Sequence, residues 1–185
     1  VHEHGIFVAV FLGATGAGKT KLIERLIERA PEDEAIGVIV GDVAGEDDAT
    51  RFRDLGVSVA NVNTGKECHL GPGLVEDALA QFDLSELDTI YVENVGNMVC
   101  PADFPLGAQA RVRVVSSTEG DDVVRKHPLL CQSCDATVIN KTDIADAVGS
   151  DLDLMEGDVG EIAPEMPVFR TDAAHEEGID ALVDY

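Results

Sequence analysis

Gly13-Ala14-Thr15-Gly16-Ala17-Gly18-Lys19-Thr20 follows the apolar run Ile6-Phe7-Val8-Ala9-Val10-Phe11-Leu12 and opens a helical pattern. The eight residues fit G-x-x-x-x-G-K-[ST] at every position. Glycines let backbone N–H groups curl around phosphate oxygens with no Cβ in the way, and a helix starting at Lys19 turns its positive end to the same place. Gly13, Thr15, Gly16, Ala17, Gly18, Lys19, Thr20 and, in the first helical turn, Lys21 are the expected phosphate-binding set. Lys19 is expected on the β- and γ-phosphates and the Thr20 hydroxyl on Mg²⁺.

Working outward, short β-rich runs alternate with helical stretches. The expected strands are Ile6–Leu12, Ile36–Val40, Val57–Val62, Thr89–Val92, Val112–Ser116, Ala136–Ile139 and Val168–Arg170. Several are apolar throughout, as strands covered on both faces are. Lys19–Ala30 places Leu22, Ile23, Leu26 and Ile27 on one face and ends before Pro31. Asp47–Leu55, Leu74–Gln81, Pro128–Cys134 and Gly178–Asp184 are further expected helices. The acidic stretch Ile144–Glu161 is the least patterned and reads as a surface helix-loop. Strand–helix alternation predicts an α/β fold of the P-loop NTPase type: a mostly parallel seven-stranded sheet with helices on both faces. Residues 1–185 read as one P-loop domain, without repeats or linker-like composition.

The sixth strand leads into Asn140-Lys141-Thr142-Asp143, an N-K-x-D. Asp143 can accept hydrogen bonds from guanine N1–H and its exocyclic amine, which adenine cannot supply, so ATP would leave a carboxylate unpaired. Lys141 would lie along the base, and Asn140 would tie this loop to the phosphate loop. Thr171, Asp172 and Ala173, after the last strand, are the natural place for backbone contacts to the base. The expected nucleotide is GTP. Because carboxyl ends of parallel strands face the ligand crevice, Asp42 and Glu93 are candidate Mg²⁺ ligands and catalytic groups beside Lys19 and Thr20. Glu93 could instead position water, and Asp42 could be a turn cap. Gly96 would sense the γ-phosphate through its N–H. No obvious arginine finger stands out; Arg51, Arg53 and Arg125 are possible, and hydrolysis is expected to be slow.

The 185 residues carry 36 Asp+Glu against 13 Lys+Arg, a net charge of −23, yet 45% are hydrophobic. That hydrophobic content argues against disorder, and the charge excludes binding of nucleic acid or anionic membrane through bulk electrostatics. Dense carboxylates suit a protein adapted to high salt, so a halophilic source is expected. No run of about 18 apolar residues exists to span a membrane. The N-terminal Val1-His2-Glu3-His4-Gly5 lacks the basic start of a secretory signal. Cys68, Cys100, Cys131 and Cys134 do not form a disulfide framework, so a cytoplasmic location is expected.

Cys68-His69 sits in a loop by composition, and Cys100 follows Glu93-Asn94-Val95-Gly96-Asn97-Met98-Val99. Two thiolates and an imidazole suit Zn²⁺ or Ni²⁺ and leave a coordination position open, which fits a metal to be passed on. Cys131-Gln132-Ser133-Cys134 could hold metal or form a redox pair, but small buried residues are the better reading. His2 and His4 read as a frayed terminus rather than ligands.

Three stretches, Thr64–Leu70, Glu93 to Pro101 and Ser117-Thr118-Glu119-Gly120-Asp121-Asp122, resemble the nickel-incorporation GTPase of hydrogenase maturation, the HypB family. The resemblance runs from the phosphate loop to Asp143 and more loosely to the C-terminus. It implies the fold of the metal-handling P-loop GTPases and metal bound by Cys68, His69 and Cys100 at the interface of a GTP-favoured homodimer. It also implies a hydrogenase large-subunit precursor and other nickel-delivery proteins as partners. Two departures stand out. Gly71-Pro72-Gly73 occupies a stretch where members often carry another histidine, and the cysteine-rich N-terminal nickel motif of some members is not in this sequence. A urease-type nickel GTPase, a cobalamin-enzyme chaperone, a small-molecule kinase and a GTP-regulated scaffold without metal transfer are the competing readings.

Overall fold

A computed structural model of the chain describes residues 1–42, 45–65, 67, 69–100 and 106–185. Seven strands form one sheet: β1 (Phe7–Leu12), β2 (Ile36–Asp42), β3 (Ser58–Asn63), β4 (Thr89–Glu93), β5 (Ala110–Ser116), β6 (Ala136–Asn140) and β7 (Val168–Thr171). Their order is β3-β2-β4-β1-β5-β6-β7, and every pairing is parallel. The sheet is thus wholly parallel. The all-apolar reading of β2 matches its environment, since Ile36 to Gly41 are buried on both faces.

Among the described residues, eight α-helices pack around the sheet: α1 (Lys19–Arg29), α2 (Asp47–Asp54), α3 (Pro72–Leu79), α4 (Val123–Lys126), α5 (Pro128–Gln132), α6 (Ala145–Val148), α7 (Leu152–Ile162) and α8 (Asp180–Val183). Side chains alternate across each strand, so neighbouring residues feed opposite cores. Ala9 and Phe11 of β1 face a core shared with Leu22, Ile23 and Leu26 of α1, Phe52 of α2 and Leu182 of α8. Val10 and Leu12 face the other side, with Val75 and Ala78 of α3 and Leu130 of α5. Leu22 and Ile23 are fully buried. Truncating either to Ala is expected to cost about 2–5 kcal/mol.

The structure revises several boundaries. β2 runs on to Asp42 and β4 to Glu93, two residues and one past the expected bounds, so each acid is the last residue of its strand. The stretch expected to be a surface helix-loop holds two helices, α6 and α7. Met155 and Val159, four apart on α7, are buried against α4 and α5, and Asp151 caps the helix by accepting from the Asp153 and Leu154 amides. Among the described residues, no helix is long and apolar enough to cross a membrane.

Because all strands run the same way, their carboxyl ends gather on one edge of the sheet. Gly13, Asp42, Glu93, Asn140 and Thr171 all lie on that edge or just past it. Register sharpens the placement: Phe11 pairs with Glu93, Val40 with Glu93, and Asn140 with both Ser116 and Thr171.

Candidate functional site

The turn after β1 is shaped around glycine. Gly18 has φ 101°, and a Cβ there would meet Asn140 Nδ2 at 2.2 Å. Gly13 is equally constrained: its Cβ would meet the Val114 carbonyl oxygen at 2.1 Å. Any larger residue at either position would push the loop off its strands. Thr15, Gly16, Gly18, Lys19, Thr20 and Lys21 line one wall of a cleft of about 420 Å³, and Gly41, Asp42, Asp48, Arg51, Glu93 to Gly96 and Lys141 line the rest. An anionic group of nucleotide size fits this mixture of backbone amides and cations.

Charge in the cleft is concentrated and buried. The Lys19 ammonium donates to the Gly13 and Ala14 carbonyls at 3.2 and 3.1 Å. Burial pulls its pKa below the usual lysine range, and Glu93, Asp48 and Glu119 pull in the opposite direction. The Thr20 hydroxyl donates to Glu93 Oε1 at 2.8 Å. Burial lifts Glu93 to about 7, against the opposing charge of Lys19 and the Thr20 hydrogen bond. Its second oxygen, Oε2, is buried without a partner. An orphaned carboxylate oxygen beside a threonine hydroxyl and a strand-end aspartate is the donor set that Mg²⁺ takes.

A network that the sequence reading missed braces this wall. Glu24, one turn beyond Thr20 on α1, is 6% exposed and accepts from Arg51 Nε at 2.7 Å and Lys21 Nζ at 2.5 Å. Burial would raise the Glu24 carboxyl, but these partners outweigh it and hold the group below its ordinary value. No local pattern singles Glu24 out, because it shares its side of α1 with Thr20, Lys21 and Glu28.

On the opposite side, Asn140 joins three segments. Its Nδ2 donates to the Ala17 carbonyl at 3.0 Å, while its Oδ1 accepts from Thr171 Oγ1 at 3.0 Å and the Ala173 amide at 3.1 Å. Lys141 adopts φ 61°, and its carbonyl accepts from the Ser117 hydroxyl at 2.6 Å. Asp143 faces outward beside His175, with Nδ1 to Oδ2 at 3.8 Å. His175 also pairs with the buried Asp172, whose Oδ1 accepts from the Ala174 and His175 amides at 3.0 and 3.1 Å. Asp172 lifts the His175 pKa through that hydrogen bond, and Asp143 adds to the effect. Ligand atoms of Asp143, Asp172 and His175 lie within 4.8 Å of one another. Histidine at 175 carried no sequence signal beyond following the Thr171-Asp172-Ala173 segment.

The expected thiol–imidazole cluster is only partly visible. Cys68 lies outside the described residues, and so do Lys66 and Pro101. His69 and Cys100 are half-buried on two segments that touch. Asn94, 2% exposed at the end of β4, accepts from the Leu70 amide and from the Val95 amide, both at 2.9 Å. Asn97 accepts from the Val99 and Cys100 amides at 2.8 and 3.2 Å and so turns the chain toward Cys100. Thr64 closes the other end of the histidine loop: its amide and hydroxyl donate to the Asp42 carbonyl at 2.8 and 3.3 Å. Leu70 fills the space above Gly41, where a Cβ would meet its Cγ at 2.6 Å. Gly96 abuts the phosphate loop in the same way, with Thr15 Oγ1 at 2.1 Å from where its Cβ would stand. The loop that carries His69 is therefore hydrogen-bonded to both strand ends that line the cleft.

Cys131 and Cys134 pack into the core, with Cys131 Sγ 3.9 Å from the Met166 sulfur. Burial pushes the Cys134 thiol up to about 11, far from the thiolate a metal would need.

Comparison with known proteins agrees with this geometry. The family described as CobW/HypB/UreG, nucleotide-binding domain, matches residues 7–170. The chain is 45% identical over 185 residues to a probable hydrogenase maturation factor HypB of Methanocaldococcus jannaschii, covering 100% of this chain and 84% of that protein. It superposes on the crystal structure of the hydrogenase maturation factor HypB from Archaeoglobus fulgidus with a TM-score of 0.92 at 42% identity, covering 99% of this chain and 89% of the other. On HypB from Helicobacter pylori in complex with nickel the TM-score is 0.93 at 31% identity, covering 99% and 86%.

Proposed function

The chain belongs to the HypB family of hydrogenase maturation factors, within the CobW/HypB/UreG nucleotide-binding domains, and on that premise we propose that it is a GTP-hydrolysing metallochaperone. It binds nickel, or zinc in its place, at a homodimer interface controlled by the nucleotide. It supports nickel insertion into a [NiFe]-hydrogenase large-subunit precursor, together with other nickel-delivery proteins. Residues 1–185 act as one GTPase domain, working in the cytoplasm as the cysteine usage suggests.

Gly13, Thr15, Gly16, Ala17 and Gly18 cradle the phosphates with backbone amides, Lys19 neutralises them, and Lys21 closes the first turn. Asn140 braces the base loop, Asp143 and Lys141 read guanine, and Thr171, Asp172 and Ala173 wall it in. Thr20, Asp42 and Glu93 would hold Mg²⁺, which when bound supplies positive charge against the β- and γ-phosphate oxygens. Cys68, His69 and Cys100 receive the nickel as cargo.

The observation that carries this reading is the continuity of residues 93–100. Glu93 accepts from Thr20, Asn94 accepts from Leu70 beside His69, Gly96 abuts Thr15, and Asn97 holds the Cys100 amide. A γ-phosphate that orders Gly96 must therefore move the segment that presents the metal ligands. This is a local switch of the kind that reads nucleotide state in other GTPases.

The test is the solution mass of reduced protein in molar KCl with a non-hydrolysable GTP analogue, with and without one equivalent of Ni²⁺. A Cys68→Ala, Cys100→Ala double variant runs beside it. A nucleotide-dependent dimer that retains nickel only with both thiols is the expected result. A monomer that binds the analogue and ignores nickel would reduce the protein to a GTP-regulated scaffold.

A further inference from the structure

We propose that Arg51 is a catalytic residue supplied in cis: its guanidinium meets the transferring γ-phosphoryl group from the α2 side of the cleft. The proposal rests on the GTPase reading above.

Phosphoryl transfer spreads negative charge over three equatorial oxygens, so cations on more than one side stabilise it. The cleft is lined by the cations Lys19, Lys21, Arg51 and Lys141. Lys19 rises from the phosphate loop itself, where its ammonium bonds the Gly13 and Ala14 carbonyls. Lys21 turns its ammonium to Glu24, and Lys141 belongs to the base-reading loop. That leaves Arg51. It sits on α2, in the cleft wall that also carries Asp42 and Asp48.

Two carboxylates hold the fork in place. Arg51 Nε pairs with Glu24 Oε1 at 2.7 Å, and Nη1 with Asp48 Oδ1 at 3.3 Å. Nη2 takes part in neither bond. The positive charge of Arg51 lies close enough to favour the ionised form of Glu93, the acid that accepts from Thr20. With 42% of its side chain exposed, Arg51 holds ion pairs of a strength that shifts an equilibrium by about fivefold or less. An arginine on a transferring phosphoryl group is worth about 10³–10⁵ in rate. The guanidinium is therefore oriented by Glu24 without being trapped by it.

The structure also separates the three arginines that the sequence left open. Arg125 pairs with Asp158 of α7 at 2.8 Å, and neither Arg125 nor Arg53 lines the cleft.

The experiment compares wild type with Arg51→Ala, Arg51→Lys and Glu24→Ala in single-turnover GTP hydrolysis, GDP binding and thermal unfolding. It adds capture of GDP with aluminium fluoride, a mimic of the transferring group. Arg51→Ala is expected to slow hydrolysis by about thirtyfold or more, to bind GDP within about threefold of wild type, and to lose the fluoroaluminate complex. Arg51→Lys restores little, because a point charge cannot replace the fork. Glu24→Ala breaks the same ion pair from the other side and keeps the fluoroaluminate complex. If Arg51→Ala hydrolyses GTP within about threefold of wild type, or if both alanine variants lose the complex together with stability, the arginine is only a brace and the proposal falls. A wild-type protein that binds GTP but never hydrolyses it would bring down the GTPase reading first, and the role of Arg51 with it.

Discussion

The side-chain oxygen of Asn94 accepts a hydrogen bond from the Leu70 amide at 2.9 Å, and the same oxygen accepts from the Val95 amide at 2.9 Å. One buried side chain thus fastens the loop that carries His69 to the segment that carries Gly96. Asn94→Ala would leave two buried N–H groups without acceptors, at a cost of about 1–3 kcal/mol for each. The functional consequence is sharper. Nickel affinity measured with a GTP analogue and with GDP should converge in the variant, while wild type keeps a difference. An Asn94→Ala protein whose nickel affinity still follows the nucleotide would show that the signal travels by another route.

Glu93 is held near pKa 7 chiefly by burial, against an ordinary value of 4.5. The folded protein therefore keeps this proton over a range where the unfolded chain has released it. Wild type loses stability through this group as pH rises from about 4.5 to 7. Glu93→Gln has no proton to lose. The difference in unfolding free energy, variant minus wild type, should grow across that window and level off above it at about 3 kcal/mol. Denaturant titrations of both proteins at matched salt measure it. A difference that stays flat with pH would mean the carboxyl ionises at its ordinary value. GTP hydrolysis in the variant is expected to fall even where stability rises.

Asp143 stands clear of the phosphate loop, beside His175 and Asp172. Asp143→Asn keeps the shape but replaces a carboxylate acceptor with an amide whose donor faces the guanine donors. GTP affinity should fall by about tenfold to a hundredfold relative to ATP, since a charge-assisted pair is lost and a donor is left opposed. Nickel binding should persist, because no hydrogen bond of Asp143 reaches the described residues of the 64–70 and 94–100 segments. Titration with labelled GTP, ATP and Ni²⁺ separates the two effects. Loss of nickel together with GTP selectivity would contradict the separation of sites.

Much of this architecture was legible because its signals are local. Gly13 to Thr20 and Asn140 to Asp143 are contiguous, and each chemistry needs its residue types at fixed spacing between a strand and a helix. The two cores follow from apolar strands such as Ile36 to Val40. What escaped notice depends on contacts between distant segments. Glu24 and Arg51 are 27 residues apart, and Asn94 and Leu70 are 24 apart. Neither pair has a spacing that could announce it. His175 is brought to Asp143 by a turn that uses left-handed backbone at Glu176, φ 67°, and Gly178, φ 71°. α7 was hard to read because its buried stripe is narrow, with Met155 and Val159 set among acids.

The net charge of −23 is not neutralised by the ion pairs the fold makes. Arg25, Arg29, Arg51, Arg125, Arg170, Lys21 and Lys126 all pair with carboxylates, and several serve two at once. Even so, acids outnumber bases by 36 to 13, and the excess repels itself across the surface. At low ionic strength that repulsion reaches across the whole domain; at 1 M salt it is confined to about 3 Å. The exposed ion pairs weaken under the same screening, but each is worth only about 0.2–1 kcal/mol. Relief of the like-charge repulsion therefore wins. Raising KCl from 0.1 to about 2 M should stabilise the protein by about 2 kcal/mol, which for a chain of this size lifts Tm by about 4–8 °C. Thermal unfolding across a KCl series measures this. A midpoint highest at low salt would mean that the ion pairs outweigh the repulsion, and would remove the case for a protein built for saline surroundings.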